Sequence, residues 1–197
     1  MARNPKKGAT ENAHIVLIDE TGVLLNPLVR RTLAPCGDTP TLLVSGSRQK
    51  ISVIAGLSLS PVSHQLGLYF QTVPNSYINN VGAADFVRDL LRHLRGKVIV
   101  VWDNGPMHKG DPIRQLLADF PRLSLANLPP YAPELNPVEQ LWNHLKYGQL
   151  ANYVPQDLQQ LGDRVIDILV EAKFDPNRLQ SCYNNTPLID AIRTVDT

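Results

Sequence analysis

The strongest constraint on this chain is a pair of apolar runs that each stop at an aspartate, HIVLID at residues 14–19 and KVIVVWD at 97–103. Their length and uniform apolar character read as buried strands. Asp19 opens an Asp-Glu-Thr-Gly corner, and Asp103 runs into Asn-Gly-Pro, where the Gly-Pro pair turns the chain at once. In α/β sheets ligands gather at the carboxyl edge of the strands, so Asp103 is a site candidate. Asp19 taken alone reads equally well as a turn-capping aspartate.

The segments between these runs set the architecture. HIVLIDE, SRQKISVIAGLSLS and LGLYFQTV carry strand character and predict a three-stranded antiparallel meander. GDTPTLL continues that β character, and TGVLLNPLVRRTLAP reads as a short strand or an arm. Phe86, Val87, Leu90, Leu91 and Leu94 then fall at helical spacing, with Gly96 as a stop. KVIVVWD is the next strand, GDPIRQLLADFP a helix opened by Asp111 with Pro112 at its first position, and RLSLANLP a short strand. Helices are expected over about 137–149, in PQDLQQLGDRVIDILVEAKF, and in DPNRLQSCYN. Strands grouped first and βαβ units later predict an α/β protein with a mixed five-stranded sheet and helices on both faces. That is the element order of the ribonuclease H-like fold.

A third stretch, LPPYAPELNPVEQLWNHLK at 128–146, opens a helix behind a rigid lead-in of Pro129, Pro130 and Pro133. Asn136 is a good N-cap, Pro137 fits the first helical position, and Glu139 falls third, where a capping box alone would account for it. The proline lead-in argues that this helix start is placed with care. Trp142 and Leu145 read as core, while Glu139, Asn143 and Lys146 share a neighbouring stripe. Asp19, Asp103 and Glu139 are thus three carboxylates that a fold can aim at one point, which is what a two-magnesium phosphodiester-cleaving site needs.

The whole-chain properties narrow the setting. The 197 residues fit one ordinary domain with a net charge of +1, which is not the basic balance of a free-standing DNA binder. Cys36 and Cys182 match no metal spacing and no disulfide framework, so a reduced, cytoplasmic protein is expected, nucleoid-associated if bacterial. Residues 1–12 read as a flexible polar tail that is neither signal peptide nor membrane span, and 13–197 as the domain.

DETG, RTLAPCGDTP, WDNGPMHK and LPPYAPELNPVEQLWNHLK together resemble the catalytic domain of DDE transposases of the mariner superfamily, in its bacterial insertion-sequence branch. The resemblance runs over roughly 13–150 and is most specific in Pro-x-x-Asn-Pro-x-Glu-x-x-Trp. Asp103 and Glu139 have 35 residues between them, near the family's usual gap. The resemblance implies that Asp19, Asp103 and Glu139 are the catalytic and metal-binding acids, holding two Mg²⁺ or Mn²⁺ ions for strand cleavage and strand transfer in cut-and-paste transposition. It implies DNA partners, both transposon ends and target, and a homodimer is a further expectation. Complete members begin with helix-turn-helix domains, and nothing of that kind precedes residue 13. End recognition is therefore expected from a separate helix-turn-helix chain or a missing N-terminal domain. Arg30, Arg31, Arg48, Lys50, His108, Lys109 and Lys146 are candidates for phosphate contacts, and each reads as well as an ordinary surface group.

Two other classes compete. IVLIDETGVLLN also resembles the nucleophile strand of haloacid-dehalogenase-like phosphatases, but the second aspartate of that motif is replaced by Thr21. A catalytically silent, domesticated DNA-interaction protein is the other.

Overall fold

The computed structural model describes residues 12–184, except 45 and 131, together with residue 186. The expected tail at 1–12 lies outside it but for Asn12, as does the end of the domain beyond 186. Five strands form one sheet: β1 (Ala13–Leu24), β2 (Lys50–Leu59), β3 (Leu66–Pro74), β4 (Lys97–Trp102) and β5 (Leu123–Asn127), in the order β3-β2-β1-β4-β5. The first three pair antiparallel as a meander, and β1, β4 and β5 run parallel. The expected mixed sheet is present, and with it the ribonuclease H-like fold.

Strand parity builds two cores. Val16 and Ile18 of β1 join Val98, Val100 and Trp102 of β4 on one face. Two helices cover them, α1 (Asn80–His93) through Phe86, Val87, Leu90 and Leu91, and α2 (Asp111–Asp119) through Ile113 and Leu116. Ile15, Leu17, Ile99 and Val101 point the other way. They meet α3 (Val138–Asn143), α4 (Leu158–Lys173) and α5 (Pro176–Asn184). Strands buried on both faces need apolar residues at every position, which is why these runs lack polar alternation. Within the second core Tyr183 is wholly buried and its hydroxyl donates to the Leu57 carbonyl at 3.0 Å. Among the described residues no helix is long and apolar enough to cross a membrane.

Three local expectations change. GDTPTLL forms no strand. The described residues of 25–49 make an irregular arm, closed at its base by the Leu25 amide donating to the Gln49 carbonyl. Leu25 at its base is buried in the core, but Val29, Leu33 and Leu43 are left to solvent, Leu33 at 99% exposed. The helix expected over 137–149 is α-helical only to Asn143 and then widens into a π turn over His144–Gln149. Helix α2 is preceded by Gly110 at the cap, which puts Asp111 first and Pro112 second.

The end of α1 gives a stability test. Arg122, just before β5, donates to the Leu91 and Leu94 carbonyls, which the helix end leaves without helical partners, and to the Gly96 carbonyl in the turn beyond. Arg122→Ala is expected to lower unfolding stability by about 1–3 kcal/mol, with partial recovery in Arg122→Lys, whose ammonium cannot fork between carbonyls. The urea midpoint at constant slope measures this. An unchanged midpoint would mean that water satisfies these carbonyls equally well.

Candidate active site

The register of the parallel pair places the first two acids. The last β1–β4 partners are Leu17 and Val101, so two residues further along each strand come Asp19 and Asp103. Both keep the odd parity of Ile15, Leu17, Ile99 and Val101 and leave the sheet on the α3 side. Glu139 stands in the first turn of α3. All three line one cleft of about 420 Å³, walled by Pro129, Pro130 and Pro133 and floored by Gly105, Leu128 and Asn136.

Asn136 locks the helix start to the sheet. Its side-chain oxygen accepts from the Val138 amide at 3.2 Å, as a cap does, and its amide donates to the Ile18 carbonyl at 3.0 Å, beside Asp19. It is 3% exposed. The Asn136 backbone amide, which a capping-box glutamate would take, donates instead to the Pro133 carbonyl. Glu139 is therefore not engaged in a capping box.

Both aspartates have one oxygen held by the protein. Asp19 Oδ2 accepts from the Trp142 indole Nε1–H at 2.7 Å. Trp142, read from sequence as core, is both core at 3% exposed and a positioning donor. Asp103 Oδ1 accepts from the Gly105 amide at 2.7 Å and lies 2.9 Å from His108 Nδ1. Burial first, and then the facing Glu139 charge, push the Asp19 carboxyl up to about 7. Lys146 lies close enough to feel both Glu139 and Asp19, though its own burial dominates and lowers its ammonium.

These features fit a hard divalent cation. The donors are oxygens, each aspartate keeps a second oxygen uncommitted by these bonds, and three carboxylates line the one cleft. Among the described residues no three acidic, histidine or cysteine side chains are already gathered at coordinating distance.

Gly105 is required for closeness. A Cβ there would stand 2.6 Å from Met107 Sδ and 2.8 Å from Asp103 Oδ1. Gly105→Ala is expected to push the Asp103 carboxylate aside and lower metal-dependent cleavage by roughly 10- to 100-fold, since small displacements of a reacting group are costly. The thermal midpoint should barely move. Wild-type cleavage by the variant would show that the Asp103 rotamer does not matter.

The basic candidates divide. Arg30 is committed to the fold: its Nη1 donates to the Tyr147 carbonyl at 2.8 Å, and Asn152 brackets its backbone on both sides. Lys50 sits over the Tyr77 ring. Arg31, Arg48 and Lys109 are exposed. His108 is not the surface turn residue expected from sequence. It is 6% exposed, stacked on Trp102 with ring centroids 4.2 Å apart, and its Nε2 is 3.0 Å from Glu20 Oε1. Burial opposes its charged form, but the bond and charge of Glu20, followed by Asp103, outweigh it and hold His108 above the usual histidine range. Glu20 and the indole N–H of Trp142 were not singled out from sequence, and Asn136 was read there only as a helix cap. Only the even position of Glu20 after Val16 and Ile18 hinted that it faces away from Asp19.

Comparison with known proteins identifies a family and a fold. The family model described as DDE superfamily endonuclease matches residues 14–162. Among solved structures, the chain is similar to the Mos1 mariner paired-end complex with Mn, at 18% identity and TM-score 0.67, over 93% of this chain and 56% of that one. It is also similar to the Mos1 strand transfer complex, at 17% identity and TM-score 0.63, over 93% and 55%. The catalytic domain of Mos1 mariner transposase matches at 15% identity and TM-score 0.59, over 92% and 81%. The chain thus spans little more than half of the longer Mos1 chains. No curated protein sequence matches it.

Proposed function

Because the chain belongs to the DDE superfamily endonucleases, we propose that it is a transposase catalytic domain of the mariner type, in the bacterial insertion-sequence branch, that cleaves DNA at transposon ends and joins them to target DNA. The observation that carries this is the convergence of Asp19, Asp103 and Glu139 on one cleft from two adjacent parallel strands and a helix start. These three carboxylates would be the cation ligands. Bound there, two divalent cations would supply Lewis acidity toward an attacking water and the departing 3′ oxygen.

The chain's own groups do the rest. The Trp142 indole and the Gly105 amide each hold one oxygen of an aspartate, so that the other can face the cleft. Asn136 fixes the distance between the Glu139 helix and the β1 edge. Lys146, beside both Glu139 and Asp19, stands where it could meet a backbone phosphate. Arg31, Arg48 and Lys109 are exposed candidates for the flanking duplex. A net charge of +1 gives little long-range attraction for DNA. We therefore place end recognition in a helix-turn-helix element outside this domain, with pairing of two catalytic domains at the two ends.

The test is strand cleavage by the purified chain. A labelled duplex and a small phosphomonoester are each incubated with Mg²⁺, with Mn²⁺ or with chelator. Nicking that requires the metal, with no phosphate release from the monoester, is the expected result. Metal-dependent phosphate release without nicking would sink the transposase function in favour of a phosphatase. Residue 21 is a threonine, and no observation here favours that alternative.

A further inference from the structure

We propose that Glu20 and His108 form a positioning pair that fixes the Asp103 carboxylate for divalent-cation binding; this rests on Asp103 being a cation ligand. The two residues come from β1 and from the turn after β4, and each has neighbours that restrict it. Glu20 follows Val16 and Ile18 onto the face opposite Asp19, and its side chain is 13% exposed. The His108 ring lies flat on Trp102, with an interplanar angle of 6°, so stacking sets its plane. Within that plane both nitrogens meet acceptors. Nε2 is 3.0 Å from Glu20 Oε1, and Nδ1 is 2.9 Å from Asp103 Oδ1 and 3.1 Å from the Asp103 carbonyl.

The consequence falls on Asp103. Its side chain is 59% exposed and projects from a strand end, a place where a carboxylate ordinarily rotates freely. Here Oδ1 accepts from the Gly105 amide and lies 2.9 Å from His108 Nδ1, a ring nitrogen that is also hydrogen-bonded to the Asp103 carbonyl, which leaves Oδ2 to the cleft. Glu20 touches neither the cleft nor Asp103. It acts through the imidazole, as an outer carboxylate orients an inner ligand in metal sites generally. A purely structural role would be filled as well by an apolar side chain packed on Trp102, because a buried carboxylate–histidine pair is a poor source of stability.

The experiment uses the full chain with Glu20→Ala, Glu20→Gln, His108→Ala, the Glu20→Ala/His108→Ala double variant and Asp103→Asn. Mn²⁺ affinity is read from free Mn²⁺ by electron paramagnetic resonance, and folding from the thermal midpoint. Glu20→Ala and His108→Ala are expected to weaken Mn²⁺ binding about 10- to 100-fold. The double variant should be no weaker than His108→Ala alone. Glu20→Gln, which keeps an oxygen facing Nε2, should stay close to wild type. Wild-type Mn²⁺ affinity in folded Glu20→Ala overturns the proposal. So does equal weakening in Glu20→Gln and Glu20→Ala, which would make the charge of Glu20, and not its grip on His108, the cause. If His108→Ala does not fold, the two Glu20 variants decide alone. Unchanged binding in Asp103→Asn would overturn the cation-ligand role itself. Loss there, with unchanged binding in the Glu20 and His108 variants, would overturn only the positioning pair.

Discussion

Asp103→Asn is expected to leave the chain folded and, on the proposed function, to cut Mg²⁺-dependent strand cleavage by roughly a thousandfold or more. Asparagine fits the site: its side-chain oxygen can still accept from the Gly105 amide, and the residue projects from the strand end into open space. What disappears is a negative charge among the carboxylates that would hold the cations. Cation stabilisation of the transition state amounts to several kcal/mol, and about 4 kcal/mol corresponds to roughly a thousandfold in rate. The check is a cleavage time course at saturating Mg²⁺ with a thermal melt of the same preparation. Wild-type nicking by the folded variant would place the chemistry elsewhere.

Asp19→Asn is expected to abolish cleavage and also to stabilise the metal-free chain at neutral and higher pH. The Asp19 carboxyl is pushed up to about 7, by burial first and then by Glu139. Its folded value lies above its unfolded value of 3.8, so the folded state holds the proton more tightly. The stability contributed by that proton is complete below about pH 4 and is lost as pH rises through about 7. Asparagine carries no charge to lose, and its oxygen can still accept from Trp142 Nε1. The variant should therefore exceed wild type at pH 8 by about 2–4 kcal/mol and match it near pH 4. Added Mg²⁺ should reverse the order at pH 8, because only wild type gains from ligand binding. Thermal melts at the two pH values, with and without Mg²⁺, give all four numbers. Parallel pH profiles for the two proteins would show that Asp19 titrates as an ordinary surface carboxylate.

Much of the scaffold was legible because it is written in local pattern. HIVLID and KVIVVWD lack polar alternation and so read as buried strands, while the order of strands and helices along the chain implied helices on both faces of the sheet. The aspartates that end them fall at the carboxyl edge, since a polar residue cannot continue such a run into the core. The proline lead-in and Asn-Pro start placed Glu139 at a helix N-terminus for equally local reasons. GDTPTLL, expected to continue the β character, forms no strand: its Gly, Asp and Pro disfavour one and no described strand pairs with it.

The chain's own order of residues determined the sheet, its two covered faces and the three acids, because periodicity, turn chemistry and helix starts are properties of short segments. Tertiary structure alone decided what holds those acids. The Trp142 indole reaches Asp19 across 123 positions, and His108 reaches Glu20 across 88. It also decided that Arg30 fastens the arm and that His108 is buried on Trp102. A hydrogen bond between distant residues depends on register and packing that no local window contains, whereas the strands and helices that bring them together are set within a few residues of themselves.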